Sequence, residues 1–161
     1  MHRYEKTLES FASNGKLSKV DCLDIIYQLI DIFKIVHLSK RTYNDLKLAN
    51  IMINTRPTGL QVVLIDYGFS TFFVDKDGNH IDKSETVETF QGNLLFASLD
   101  QLNFKMTTRR DDMISLAYLF MFLFNGNDMP CLPSNFYKEV QKNDILDRYK
   151  RMFKFKGDNS L

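Results

Sequence analysis

Apolar positions first fall into helical register between residues 23 and 36, where Leu23, Ile26, Leu29, Ile30, Phe33 and Val36 recur at helical spacing. Ser18 and Asp21 precede them with the spacing of a capping box, Asp standing in for Glu, so a helix opens there and runs to about His37. Asn14-Gly15 marks a turn ahead of it. Ile25, Ile32 and Ile35 fill the other faces, and a helix apolar nearly all round is expected to be buried on most sides. Two short runs with strand character follow at 50–54 and 61–65, joined by Thr55-Arg56-Pro57-Thr58-Gly59; they predict a hairpin with a longer loop.

Residues 66–108 are polar and poorly periodic, and a stretch that long without regular structure is usually functional or disordered. Helical character resumes at about Arg109 and continues through the apolar run 113–124 to Asn125-Gly126. Met129-Pro130 and Pro133 break the chain, and a last amphipathic helix is expected from about Asn135 to near Lys150. The order is helix, hairpin, long loop, buried helix, surface helix. A hairpin between buried helices is not a doubly wound sheet, so the fold class is mainly α (α+β).

Composition narrows the function. The 161 residues suffice for one domain with a proper core. Lys+Arg number 21 and Asp+Glu 20, a net charge of +1, which argues against a nucleic acid or membrane surface held by bulk charge. The 14 Phe and 7 Tyr, with no Trp, predict an aromatic-rich core or a surface awaiting a partner. The apolar run 113–124 is about half of the ~20 residues a membrane span needs, so it reads as a buried helix. Cys22 and Cys131 read as free thiols in a reducing compartment. The charged start of the chain has no apolar signal core, so a soluble intracellular protein, cytoplasmic or nuclear, is expected.

Polar residues gather at the edges of the hairpin. Tyr43-Asn44-Asp45-Leu46-Lys47-Leu48-Ala49-Asn50 stands just before it, and Asp66-Tyr67-Gly68 just after. A hairpin holds its two ends side by side, so Asp45, Lys47, Asn50 and Asp66 should converge. Two carboxylates, an amide and a lysine suit Mg²⁺ and phosphate. One carboxylate can orient a nucleophile while the others hold metal against the phosphates. Singly, Asp66-Tyr67-Gly68 also reads as a strand-end turn and Lys47 as a solvated charge. The order Asp-x-Lys-x-x-Asn, apolar hairpin, Asp-aromatic-Gly is far more specific: it is the layout of a kinase catalytic loop followed by the D-F-G turn.

On these residues the chain resembles the casein kinase 1 family of protein kinases, from the hinge onward. Tyr4-Glu5-Lys6-Thr7-Leu8-Glu9 resembles the segment leaving the hinge, and Leu64-Ile65-Asp66-Tyr67-Gly68 the metal-binding turn. Gly92-Asn93-Leu94-Leu95-Phe96-Ala97-Ser98 is similar to the family's G-T-A-R-Y-A-S. Arg109-Arg110-Asp111-Asp112 with Ser115-Leu116-Ala117-Tyr118 is similar to R-R-D-D-x-x-S-L-G-Y. The resemblance implies a partial kinase domain over residues 1–161: the larger lobe with a small hairpin at the active site, the smaller lobe absent, truncated at both ends. It implies a Ser/Thr kinase in which Asp45, Lys47 and Asn50 are catalytic. Asn50 and Asp66 would hold Mg²⁺, and Met52 would pack beneath the adenine of ATP. Asp112 would hydrogen-bond the catalytic-loop backbone, and a protein would be the substrate. A Mg²⁺-dependent phosphatase or nuclease built on Asp45 and Asp66 is set aside by the block from Gly92 to Tyr118.

Departures from the family carry expectations of their own. Tyr43-Asn44 stands where the family has His-Arg, so no arginine is there to pair with a phosphate on the activation loop. Leu95 replaces a basic residue that helps the family bind acidic substrates. No glycine-rich loop and no Val-Ala-x-Lys strand occurs among the 161 residues. The stretch by itself is therefore expected to be inactive, or to serve as a pseudokinase-like interaction module. Apolar surface is expected where the smaller lobe or another protein would cover it.

Overall fold

The computed structural model describes residues 6–13, 17–82, 86–129 and 145–158. The chain starts with a short strand β1 (Lys6–Thr7) and helix α1 (Leu8–Ser13), then enters the long helix α2 (Lys19–Leu38). The capping box forms as the sequence predicts: Asp21 N–H donates to Ser18 Oγ at 3.0 Å, and Ser18 N–H donates to Asp21 Oδ2 at 3.1 Å. Cys22, Ile25, Leu29, Phe33 and Val36 line the buried face of α2.

The other face of α2 is not buried. Val20, Leu23, Tyr27, Ile30, Ile35 and Leu38 are all exposed, which corrects the expectation of burial on most sides. The cause is geometric: the packing neighbours of α2 are β2 (Arg41–Thr42), β4 (Gly59–Leu64) and α4 (Arg109–Phe124), which cover one flank. Of the stripe read from periodicity, Leu29, Phe33 and Val36 are buried and Ile26 is half-buried, but Leu23 and Ile30 are exposed, and Ile25, placed on another face, is fully buried.

Strand β3 (Ile51–Arg56) follows a 3-10 turn (Leu48–Asn50) and pairs with β4 in register Ile51↔Leu64 to Arg56↔Gly59. The connection is thus only Pro57-Thr58, shorter than the expected loop. Pro57 and Gly59 take the places that a tight turn gives to Pro and Gly, and Gly59 has φ +124°. The sheet order is β1-β3-β4, and Gln28 of α2 reaches the free edge of β4. Its Nε2 donates to Leu60 O at 2.9 Å, and its Oε1 accepts from Val62 N at 2.9 Å. One side chain satisfies both an orphan donor and an orphan acceptor.

The aperiodic stretch 66–108 is tied down at intervals. Strand β5 (Thr71–Phe72) pairs with β2, isolated bridges join Val74 to His80 and Thr86 to Lys105, and α3 (Leu99–Leu102) starts from a Ser98 cap. Helix α4 then runs close to its expected bounds, with Leu116, Leu119, Phe122 and Leu123 in the core. It ends before Gly126, whose φ of +73° suits glycine best. The last helix, α5 (Ile145–Asp158), extends past the predicted end near Lys150; its expected start at about Asn135 lies outside the described residues, as does Cys131. Cys22 is a buried free thiol, pushed up in pKa by burial. Among the described residues no helix is long and apolar enough to cross a membrane.

Candidate active site

The loop between β2 and the 3-10 turn has no regular hydrogen-bonding pattern of its own, so other elements must hold it. Asp112, in the first turn of α4, does so. Its Oδ2 accepts from Tyr43 N–H at 2.8 Å and its Oδ1 from Asn44 N–H at 2.9 Å. His37 Nε2, at the end of α2, lies 2.8 Å from the same Oδ2. The carboxylate is 2% exposed, so these partners replace the water it has lost. Asp111 turns another way, accepting from Ser98 Oγ at 2.7 Å and Thr108 N–H at 2.8 Å. Neighbouring residues on a helix face different directions, which is why one carboxylate serves the loop and the other serves the segment before α4.

Held in this way, the loop turns through Asn44 at φ +72°, a left-handed conformation that asparagine tolerates. Asn44 Nδ2 donates to Phe69 O at 2.8 Å and to Thr71 Oγ1 at 2.9 Å, tying the loop to the segment that follows Gly68. Beyond the bend, Asp45 is 1% exposed. Its Oδ2 accepts from Lys47 Nζ at 2.6 Å and from Asn50 Nδ2 at 2.9 Å, and its backbone carbonyl accepts from Asn50 Nδ2 at 3.0 Å. Three of the four residues expected to converge are therefore one hydrogen-bonded cluster.

Asp66 joins them through the hairpin. Ile65 N–H donates to Asn50 O at 2.9 Å, so the end of β4 lies beside the 3-10 turn. Asp66 itself has φ +60° and an exposed side chain whose Oδ1 accepts from Gly68 N–H at 3.2 Å. It makes no hydrogen bond to Asp45, Lys47 or Asn50. Tyr43 and Tyr67 meet edge to face at 5.2 Å between centroids, and Tyr43 Oη donates to Ile65 O at 2.6 Å. Burial pushes the Tyr43 phenol well up, so it stays a neutral donor at any physiological pH. Met52 stands half-buried on β3, opposite Thr7 of β1.

Asn50 and Asp66 offer one amide and one carboxylate, and no group of three His, Cys, Asp or Glu side chains is poised for a metal among the described residues. That donor set fits Mg²⁺ carried by a phosphate ligand, since Mg²⁺ commonly takes one or two carboxylates and completes its shell with phosphate and water. It does not fit an all-protein cage.

Two contributors, His37 and Gln101, escaped the sequence reading, and a third, Gly92, entered it only as part of a motif. His37 reads in sequence as a helix-end residue, yet it reaches Asp112. Gln101 Nε2 donates to Asn44 O at 2.9 Å and to Gln91 O at 2.6 Å, holding the loop from the α3 side. Gly92, with φ +120°, lies so close that a Cβ there would run into Asn44 O and Gln101 Nε2. Gly92 carried a motif signal; His37 and Gln101 carried none that local pattern could detect, because their partners lie 75 and 57 residues away.

The protein kinase domain family model matches residues 2–160. A probable serine/threonine-protein kinase of fowlpox virus is 31% identical over 134 residues, covering 76% of this chain and 43% of the relative. A serine/threonine-protein kinase of Caenorhabditis elegans is 26% identical, covering 77% of this chain and 20% of the relative. A casein kinase 1-like protein of Oryza sativa subsp. japonica is 27% identical, covering 78% and 18%. The chain spans less than half the length of these curated relatives. Since the family model matches almost every residue, the chain belongs to the protein kinase family.

Proposed function

We propose that these residues form the catalytic-loop half of a casein kinase 1-like Ser/Thr protein kinase site, in the larger lobe of the domain. The observation that carries this reading is the cluster of Asp45, Lys47 and Asn50 beside the Asp66 turn. ATP with Mg²⁺, when bound, supplies the phosphoryl group to be transferred. Asp45 accepts the proton of the attacking protein hydroxyl and orients its oxygen. Lys47, paired with Asp45, brings a positive charge to the side where negative charge develops on the transferring group. Asn50 and Asp66 hold Mg²⁺, and Met52 packs against the adenine. Asp112 acts through Tyr43 and Asn44 and touches no reacting atom, so it is a positioning residue.

The 161 residues include no glycine-rich loop and no Val-Ala-x-Lys strand, the groups that cover and neutralise the ATP phosphates. The stretch alone is therefore proposed to have negligible activity. Asn44 supports a second reading, as a pseudokinase-like interaction module. It occupies the family's arginine position and orders the 69–71 segment through neutral hydrogen bonds. A chimera joining residues 1–161 to a complete smaller lobe separates the two. Transfer of radiolabelled phosphate to casein with Mg²⁺, lost on Asp45→Asn, is expected. A chimera that binds Mg²⁺-ATP yet transfers nothing would leave the interaction module standing.

A further inference from the structure

Lys156 is fully buried, and no step of the proposed reaction uses it. It stands on α5, which packs against α3. Its Nζ donates to Leu94 O at 3.2 Å and to Ala97 O, and lies 4.5 Å from the ring centre of Tyr118 on α4. Taking an amine out of water is costly, so its place is explained by what those two carbonyls would otherwise lack.

The turn that Lys156 reaches pairs its N–H groups internally. Asn93 Oδ1 accepts from Leu95 N–H at 3.0 Å and from Phe96 N–H at 3.3 Å, and Asn93 O accepts from Ala97 N–H at 2.9 Å. Leu95, Phe96 and Ala97 are buried, which leaves little water for the carbonyls of the turn. Lys156 supplies N–H groups to two of them from another element.

The flanks of the turn are tied elsewhere. Gln101 Nε2 donates to Gln91 O at 2.6 Å and to Asn44 O at 2.9 Å, and Gly92 sits against Asn44 O too closely for a side chain. Ser98 Oγ donates to Asp111 Oδ1 at 2.7 Å. Asn44 immediately precedes Asp45, so residues 91–94 run beside the group assigned as the base. Gln91, Gly92, Asn93 and Leu94 are all half-buried, and none is charged. A peptide presenting its hydroxyl to Asp45 has this strip as a neighbour, and Lys156 grips the segment from behind.

We propose that Lys156 is a positioning residue: from α5 it fixes the 93–97 turn, and so the strip 91–94 against which the protein substrate lies. This deepens the kinase reading and rests on it. Lys156 touches no reacting atom, so it governs how well the substrate is held and not the transfer step itself.

Hydrogen exchange on the 161-residue chain, read by mass spectrometry, tests the clamp. Lys156→Met keeps the apolar stem and removes the amine, whereas Lys156→Gln keeps two N–H groups on a chain one bond shorter. In Lys156→Met the amides of 94–98 should exchange about tenfold faster, with those of α2 and α4 unchanged. Lys156→Gln should recover part of that loss. Protection at 94–98 equal to wild type overturns the proposal. A rise shared by α2 and α4 also overturns it, because Lys156 would then support the whole fold and not this turn. A Gln variant no better than the Met variant removes the donor role. In the chimera with a complete smaller lobe, Lys156→Met should raise KM for casein about tenfold, with kcat and KM for ATP unchanged. A fall in kcat at constant KM removes the substrate role. A wild-type chimera that transfers nothing sinks the kinase reading and the substrate role with it, while the exchange pattern still decides the clamp.

Discussion

Asp112 and Lys156 are both buried ionisable side chains, and their surroundings show how differently a fold can accommodate such a group. Asp112 collects two backbone N–H donors and His37, and so links the end of α2, the 43–44 backbone and the start of α4. Lys156, on α5, is 0% exposed and donates to the carbonyls of Leu94, at 3.2 Å, and Ala97, with its Nζ 4.5 Å from the ring centre of Tyr118. Desolvation pushes its pKa well below 10.5. A neutral amine still has two N–H groups for two carbonyls, so Lys156 can lose its proton and keep its contacts. Burial alone therefore does not say what a side chain is for. The number and type of partners, and how many segments they join, say more.

The comparison can be broken most directly at Asp112. Asp112→Ala leaves two buried N–H groups and His37 without their acceptor and should cost about 3 kcal/mol of stability. Urea unfolding measures this, and a loss below about 1 kcal/mol would show that the loop holds itself. Activity of the chimera should fall with it, since the 43–45 backbone loses its support.

Gly92→Ala attacks the same loop from its other side. A Cβ there meets the backbone carbonyl of Asn44, which cannot swing away as a side-chain tip can, at a φ that disfavours side chains. A loss of about 2 kcal/mol is expected, read as a lowered melting temperature. An unchanged melt would mean that the 92–98 segment sits less tightly on the loop.

Lys156 sharpens the contrast through pH. The unfolded chain keeps this lysine protonated up to about 10.5, while the folded one releases the proton at lower pH. Between those two values the unfolded state binds more protons, so stability rises with pH. Relative to Lys156→Met, wild type should gain up to about 1 kcal/mol per pH unit in that window. Parallel stability curves for the two proteins would show that Lys156 is charged in the fold.

The smallest effect on stability belongs to Asp66. Its carboxylate is exposed and bonds only within its own turn. Asp66→Asn keeps a residue suited to φ +60° and should change stability by less than about 0.5 kcal/mol. It should nonetheless strip phosphoryl transfer from the chimera. A variant that loses stability but keeps transfer would reverse the roles assigned to Asp66 and Asp112.

Much of this arrangement was legible in the chain. The capping box at Ser18 and Asp21, the hairpin and the apolar run after Arg109 are local patterns, and each formed close to where the pattern put it. The spacing from Asp45 to Asn50 is equally local, so the cluster of Asp45, Lys47 and Asn50 could be anticipated from a loop of six residues. The five-residue connection expected at 55–59 shrank to Pro57-Thr58 because strand pairing continued to Arg56 and Gly59, a gain in ladder hydrogen bonds that composition does not reveal.

Apolar periodicity, capping residues and short-range spacing depend on neighbours within a turn or two, and to that extent the sequence by itself determined the helices, the hairpin and the polar cluster. Which faces are covered, and which distant groups meet, depends on how the elements dock. Ile25 and Ile35 are the same residue type on the same helix, yet one is fully buried against its neighbours and the other is 69% exposed. Likewise His37 reaches Asp112 and Gln101 reaches Asn44 O across gaps of 75 and 57 residues, and Lys156 donates to the carbonyls of Leu94 and Ala97, far in sequence from its own helix. Only the tertiary structure decided these, because burial and long-range hydrogen bonding are properties of the docked surfaces and no local pattern encodes them.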